Sequence, residues 1–296
     1  MKRINIFAIA AILVMACTPE DKNTGGVTYP DTPYGSDEMK LEIPAGSLSA
    51  GDISSSMNGN ITGMDFTGDK SVIIEHSVKY SDGVEDTSNE IGHYEKNGEK
   101  REVSAFGKKF SVEVATFKSG TKVLLKITSA EGKVKETECT LVGRMDATPV
   151  VKNLCRSWKI DATSISAKKG SGPEVGSKYS GCDINAILKD LAENKNVNLN
   201  YDPRSYYMPV SSIIISRSGS YAVTFAQAPA LVGTWNDSKL GKGIFSFKWN
   251  ANIQPNILLD GDAEYSFDKA TNKLSLTTKG SVNGYDVTVT FTLSAQ

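Results

Sequence analysis

Tyr285-Asp286-Val287-Thr288-Val289-Thr290-Phe291-Thr292-Leu293, near the end of the chain, alternates apolar and polar residues without interruption. Because successive side chains of a β-strand point to opposite faces, this alternation predicts a strand with one buried face. Val and Thr also favour strands over helices. The stretch therefore indicates that the last part of the chain is β-structure packed on an apolar interior.

The region before this stretch repeats the same type of pattern. Seven further runs rich in β-branched and aromatic residues precede it, at residues 158–166, 213–217, 221–226, 231–235, 243–249, 263–267 and 274–278. Most connections between them are short, and eight antiparallel strands can close into a barrel around side chains or one small ligand. We therefore predict that residues 148–296 form an eight-stranded barrel domain.

Two helical segments are predicted within this second domain. Thr148 is suited to cap a helix and Pro149 to occupy its first position, so a short helix is expected there. Residues 180–183 resemble a capping box. Four apolar residues then recur at the spacing of one helix face, namely Ile184, Ile187, Leu188 and Leu191.

The first domain, residues 39–147, is also predicted to be β-structure. Strand-like runs occur at residues 71–80, 101–106, 110–117, 122–128 and 137–142, separated by glycine-containing turn signals. No stretch among them has a helical period of useful length. The predicted fold class is therefore all-β and mainly antiparallel, with a sandwich-like first domain and a barrel with one amphipathic helix as the second.

The N-terminus has the pattern of an export signal. Lys2 and Arg3 precede an apolar run that is too short to span a bilayer, and residues 1–16 are predicted to be a signal peptide. Val14-Met15-Ala16-Cys17 resembles the lipobox of bacterial lipoproteins. That resemblance implies a lipid on Cys17, an outer-membrane location on the periplasmic face or the cell surface, and a flexible tether over residues 17–38.

Short tryptophan-containing segments carry a second resemblance. Residues 154–160 (LCRSWKI) and 231–235 (LVGTW) look like the strands of lipocalin-like domains in surface lipoproteins of Gram-negative bacteria. The resemblance covers the C-terminal half of the chain and implies a lipocalin-like barrel with a small ligand. The chain departs from the lipocalin pattern because Trp158 has no glycine two residues before it.

Composition excludes several classes of function. The net charge of −1 gives no bulk attraction to nucleic acid, so no nucleic-acid partner is expected. Only two histidines occur, His76 and His93, and neither has a recognised metal-ligand spacing, so no metal site and no cofactor are expected. The expected partners are the membrane through the lipid, a small molecule or glycan, and an envelope protein.

Cysteine and aromatic residues supply the other candidate sites. With Cys17 lipidated, Cys155 and Cys182 are the candidate disulfide pair; the alternative is that all remaining cysteines are small buried side chains. Aromatic rings can stack on a sugar, or they can pack a loop onto the barrel. The candidate ligand contacts are Tyr201, Tyr206, Tyr207, Trp235 and Trp249.

No catalytic motif is present. The Gly-x-Ser-x-Gly nucleophile elbow, the phosphate-binding loop and the His-Glu-x-x-His zinc motif are all absent from the sequence. The leading hypothesis is thus a non-catalytic envelope lipoprotein that binds a small apolar or glycan ligand through its C-terminal barrel. The alternatives are an interaction module of a surface complex and, less favoured, a hydrolase that uses a carboxylate pair.

Overall fold

The structure is a computed structural model that describes residues 37–119, 121–199, 201–202, 209–226, 228–249 and 261–296, with residues 115–119 and 249 described by their backbone. Antiparallel strands dominate these residues, which confirms the predicted all-β class. The strands form two closed barrels, each with eight strands in its wall.

The first barrel contains nine strands and one 3₁₀ turn. They are β1 Met39–Glu42, the turn Ala50–Asp52, β2 Asn60–Phe66, β3 Ser71–Lys79, β4 Glu85–Thr87, β5 Glu90–Asn97, β6 Lys100–Ala105, β7 Lys108–Ser119, β8 Lys122–Thr128 and β9 Val134–Val142. β1 pairs with both β9 and β2, and β2 pairs with β3, so the wall closes. β4 lies outside the ring, on the edge of β3.

This closure corrects the prediction of a sandwich-like first domain. A sandwich keeps two separate sheets, whereas here β1 and β2 bridge the two ends of a single sheet. Neither strand was predicted from the sequence, and without them the remaining strands have no reason to form a ring.

The second barrel contains nine strands and several short helical segments. They are α1 Pro149–Leu154, β10 Ser157–Lys168, β11 Glu174–Ser180, α2 Ile184–Lys189 with a following π turn Asp190–Asn194, β12 Val210–Ile215, β13 Ser220–Phe225, β14 Leu231–Asn236, a 3₁₀ turn Leu240–Lys242, β15 Ile244–Trp249, β16 Gly261–Asp268, β17 Lys273–Val282 and β18 Tyr285–Ala295. β18 pairs with β10 and closes the ring, while β11 lies outside it. The predicted barrel is confirmed, and its wall is compatible with a lipocalin-like fold.

Apolar side chains fill both barrels. In the second barrel the buried cluster includes Trp158, Tyr221, Phe245 and Phe291, all at most 2% exposed. The rings of Tyr221 and Phe245 lie 5.7 Å apart, within the range at which aromatic pairs attract. The first barrel holds a separate cluster of its own. Each barrel therefore has an independent hydrophobic core.

The two ends of the second barrel differ. One end, which we name the α1 end, carries α1 and the β12–β13 and β16–β17 turns; the far end carries the β10–β11 and β17–β18 turns. At the α1 end, Thr148 caps α1 through the Val151 amide as predicted, and Trp158 Nε1 donates to the Leu154 carbonyl at 2.8 Å. These contacts fasten α1 over its end of the core.

An apolar contact joins the two barrels. Ile73 on β3 packs against Ile214, Ala222 and Val232, which lie on the outer faces of β12, β13 and β14. All four side chains are at most 5% exposed. Burial of a side chain such as isoleucine stabilises by about 1.5–3 kcal/mol, so this patch favours the docked arrangement.

A polar cluster beside that patch, which we name the clasp, also links the barrels. Asp65 on β2 accepts hydrogen bonds from the Ser216 hydroxyl at 3.0 Å and from the Ser218 hydroxyl. Arg217 Nη1 donates to Glu38 Oε2 at 2.6 Å. The β12–β13 turn, at the α1 end of the second barrel, is therefore bound to the first barrel on both sides of Arg217.

Candidate ligand site at the far end of the second barrel

The α2 segment covers part of the interior in the far half of the second barrel. Asp183 caps α2 by accepting from the Ala186 amide at 2.9 Å, and Ile187, Leu188 and Leu191 are buried in the core. The predicted apolar face is thus confirmed, although the capping residue is Asp183 and not Ser180. The helix occupies space that an open barrel would leave to a ligand.

Polar contacts hold this segment to β11. Asp190, in the π turn, accepts from the Ser177 hydroxyl at 2.7 Å and from Lys195 Nζ at 2.8 Å. Hydrogen bonds from Lys195, Asn194 and Ser177 lower the pKa of Asp190 to about 2. The carboxylate therefore stays charged, and the segment stays fastened, over the ordinary range of pH.

A cavity of about 120 Å³ lies at the far end, along the inner faces of β17 and β18. Its wall is made by two cross-strand pairs, Thr278 opposite Val289 and Gly280 opposite Val287. Both valines are at most 3% exposed and belong to the core of the barrel. The cavity is thus a recess in the end of the filled interior.

Gly280 is an exposed residue at the edge of this recess. It follows Leu274, Leu276 and Thr278 at every second position of β17, on the inward face, and a Cβ added to it would meet no atom within 4 Å. Its backbone is not in the left-handed region that requires glycine. Glycine in a strand costs roughly 0.5–1 kcal/mol relative to alanine, so local stability does not account for its presence.

Thr278 contributes an unsatisfied hydroxyl to the same wall. Its Oγ1 is buried, and it has no hydrogen-bond partner among the described residues. The neighbouring Thr277, on the outer face, shares a hydrogen bond with Thr290 at 3.0 Å. A buried hydroxyl without a partner is costly, and Thr278 Oγ1 exposes too little surface to be reached from the recess.

The rim of the recess is polar and its charges are paired. Lys279 Nζ lies 2.7 Å from Glu264 Oε1, and Lys169 Nζ lies 5.4 Å from the centre of the Tyr285 ring. Ser281 donates to Asp286 at 3.2 Å. The arrangement can bind a small apolar group against the two valines.

The structure separates the aromatic residues predicted to contact a ligand. Tyr201 is partly buried against the barrel core, which agrees with the packing alternative. Trp249 ends β15, but its side chain, like Tyr206 and Tyr207, lies outside the described residues. Trp235 is 3% exposed, and its Nε1 donates to the Ser216 carbonyl at the α1 end. Trp235 is therefore a core residue.

The predicted disulfide is absent, since Cys155 and Cys182 are both free thiols. Cys155 ends α1, where the charges of Glu38 and Arg217 act on it, whereas Cys182 is near Thr163 and the start of β12. Burial raises the pKa of both thiols. Cys182 is buried and Cys155 is partly buried, in separate surroundings, and Cys17 lies outside the described residues.

The described part of the chain shows no assembled metal site and no membrane-spanning helix. Across these residues no group of three or more His, Cys, Asp and Glu side chains is placed to hold a metal ion. His76 is buried between the carbonyls of Ser88 and Asn58, while His93 pairs with Glu95 on the surface. Within the same residues, every helix is too short or too polar to cross a membrane.

Sequence reasoning missed the residues that form the recess. The predicted strand over 274–278 stopped before Gly280, whereas β17 runs from Lys273 to Val282. The available signal was Val282, which restores the apolar alternation beyond the glycine and shows that β17 continues. Comparison of the chain with known protein families and with curated proteins finds no match.

Proposed function

We propose that this protein is a non-catalytic lipoprotein of the bacterial envelope that binds a small apolar or glycan ligand through its C-terminal barrel. The observation that supports binding is the recess at the far end, which has two buried valines in its wall and the polar residues Lys279 and Ser281 at its edge. Ligand sites are typically apolar and contain a few polar groups that fix orientation. The recess has both properties on a small scale.

The filled interior limits where a ligand can bind. Trp158, Tyr221 and Phe245 occupy the middle of the barrel, and α2 adds three buried side chains beside them. Displacing such a core would cost several kcal/mol. The ligand therefore binds with one end in the recess and the remainder outside it.

Lipidation of Cys17 would anchor the protein in the outer membrane. The support is the lipobox-like Val14-Met15-Ala16-Cys17 and the short apolar run before it. Metabolic labelling with a fatty acid tests this proposal: the wild-type protein is expected to incorporate label and Cys17→Ala to lose it. Label retained by Cys17→Ala would show that the lipid is attached elsewhere, and a wild type without label would show that Cys17 carries no lipid.

Native mass spectrometry of the full chain, purified in detergent, tests ligand binding. We expect a fraction of the protein to carry a bound small molecule that is released when the protein unfolds. A protein that carries no added mass, and whose melting temperature does not change with small apolar compounds or sugars, would contradict the proposal.

A second candidate function is that of an interaction module in a surface complex, with the first barrel as the docking face. The observation in its favour is the tip of the β3–β4 hairpin, where Tyr80 and Val84 are 52% and 57% exposed. Affinity capture from solubilised envelope should recover a partner with the wild type and lose it when both residues are serine. Val150→Ser, which changes an exposed side chain on α1, is the matched control.

A further inference from the structure

The outside of the second barrel carries a group of neighbouring hydroxyls, which we name the hydroxyl face. Along β18 the buried core residues alternate with outward residues, and three consecutive outward positions are threonine. Outward positions of the two adjacent strands, β10 and β17, are also serine or threonine. The hydroxyl face consists of Ser164 and Ser166 on β10, Thr288, Thr290 and Thr292 on β18, and Ser275 and Thr277 on β17.

Strand pairing arranges these hydroxyls in rows across the wall. Thr290 lies directly opposite Ser164 on one side and Thr277 on the other, while Thr288 lies opposite Ser166. Neighbouring strands lie about 4.8 Å apart, which is close to the length of one pyranose residue in an extended sugar chain. Successive sugars of such a chain can therefore meet successive strands along one row.

Most of these hydroxyls are available to a ligand. Thr277 and Thr290 share a hydrogen bond at 3.0 Å, whereas the other five hydroxyls bond to no residue that the structure describes. All seven side chains are partly exposed. Because a hydroxyl can both donate and accept, each can pair with a sugar hydroxyl in either direction.

The charges at the border of the hydroxyl face oppose an acidic ligand. Three lysines there each have a carboxylate beside them: Lys279 with Glu264 at 2.7 Å, Lys273 with Asp161 at 3.1 Å, and Lys168 with Asp286 directly opposite on β18. An acidic chain would thus meet carboxylates on three sides. The cation left without a carboxylate at this border, among the described residues, is Lys178 on β11.

The first barrel shows that hydroxyls are not a requirement of the outer wall. A row across β7, β8 and β9 consists of Glu113, Lys126 and Glu136, which alternate in charge. The hydroxyl face also lies away from the apolar contact between the barrels, which uses the outer faces of β12, β13 and β14. The first barrel therefore leaves it open to solvent.

We infer that the hydroxyl face binds a neutral polysaccharide. A protein partner would need an apolar centre with aromatic anchors, and the outward positions here carry hydroxyls. A polymer is favoured over a single sugar because each hydrogen bond contributes little, whereas a long chain presents many equivalent sugars to the same rows. The inference goes beyond the proposed function, because this face is outside the wall and needs no occupant in the recess.

Native gel electrophoresis of the full chain, in gels that contain a polysaccharide, tests the inference. Mannan, dextran and xyloglucan are the neutral probes, and alginate is the acidic one. The wild type is expected to migrate more slowly in at least one neutral polysaccharide and to be unaffected by alginate. No retardation by any of the three neutral probes, or an equal effect of alginate, would overturn the inference.

Isosteric variants locate the binding surface. Thr288→Val and Thr292→Val each remove a hydroxyl that has no partner in the protein, and valine is also a good strand former. Each should weaken binding by roughly 2- to 10-fold, the loss of one hydrogen bond. Thr288→Ser, which keeps the hydroxyl, should bind as the wild type does.

Thr234→Val is the matched control, because Thr234 is an exposed threonine on β14, outside the hydroxyl face. It should leave binding unchanged. Polysaccharide binding that survives Thr288→Val combined with Thr292→Val would overturn the inference and leave the proposed function standing. If no polysaccharide binds but a small molecule copurifies, this inference alone fails; if neither binds, both fail.

Discussion

Replacement of Asp65 by alanine should weaken the coupling between the two barrels. Asp65 is 2% exposed and accepts hydrogen bonds from Ser216 and Ser218 across the contact between barrels. Removal of Asp65 takes one partner from each hydroxyl, although the two hydroxyls still lie within hydrogen-bond distance of each other at 3.1 Å. We therefore expect Asp65→Ala to lower the free energy of unfolding by about 1–3 kcal/mol, the cost of one buried polar group left unpaired.

Asp65→Asn is the matched variant, because the amide keeps the shape and can bond to both serines. Burial raises the pKa of Asp65 above its ordinary value of 3.8. The folded state then holds the proton more tightly than the unfolded state, so the stabilising contribution is complete below pH 3.8 and is lost as the pH rises through the folded pKa. Relative to the wild type, Asp65→Asn should therefore be more stable at neutral pH than at pH 3.

Urea denaturation with two probes measures both effects. The three tryptophans all belong to the second barrel, and Trp235 donates to the carbonyl of Ser216, next to the clasp. Circular dichroism reports both barrels. Because each barrel has its own core, the two transitions should coincide in the wild type and separate in Asp65→Ala. Coincident transitions at the wild-type midpoint in Asp65→Ala, or an equal loss in Asp65→Asn, would refute the reasoning.

Three further predictions concern single contacts. Thr148→Ala should lower stability by about 1 kcal/mol in urea denaturation, since it removes the cap of α1, whereas Thr148→Ser should not. Because the pKa of Asp190 is lowered, its charged carboxylate stabilises the folded state above pH 3.8, and this stabilisation is lost as the pH falls towards 2. Amide hydrogen exchange in α2 should therefore accelerate as the pH approaches 2. In Asp190→Asn it should already be faster than in the wild type at neutral pH. Iodoacetamide at pH 8 should modify Cys155 and Cys182 slowly in the folded protein and rapidly in urea without reductant, and a requirement for reductant would show that a disulfide exists.

The sequence predicted strands best where one face is buried and the other exposed. β18 has that simple environment, and its alternation identified it at once. β2 was missed because its last residues are buried on both faces: Phe66 points into its own barrel, while Asp65 is covered by the second barrel. A contact between domains hides the period that a solvent-exposed strand would show.

The candidate site was harder to predict than the fold. The aromatic residues chosen from the sequence were large and conspicuous, yet Trp235 proved to be a core side chain. The recess is lined instead by residues of two neighbouring strands, among them Gly280 of β17 and Val287 of β18. The sequence does not show that these residues face each other until the pairing of β17 with β18 is known.

The ion pair between Glu38 and Arg217 also determines at which end of the second barrel the described chain begins. It fixes the start of the described chain beside the α1 end, so the polypeptide enters at one pole of the second barrel while the recess opens at the other. The twelve residues of β10 separate these poles by roughly 30 Å once strand tilt is allowed for. A tether from Cys17 would thus join the described chain beside the α1 end, at the pole opposite the recess.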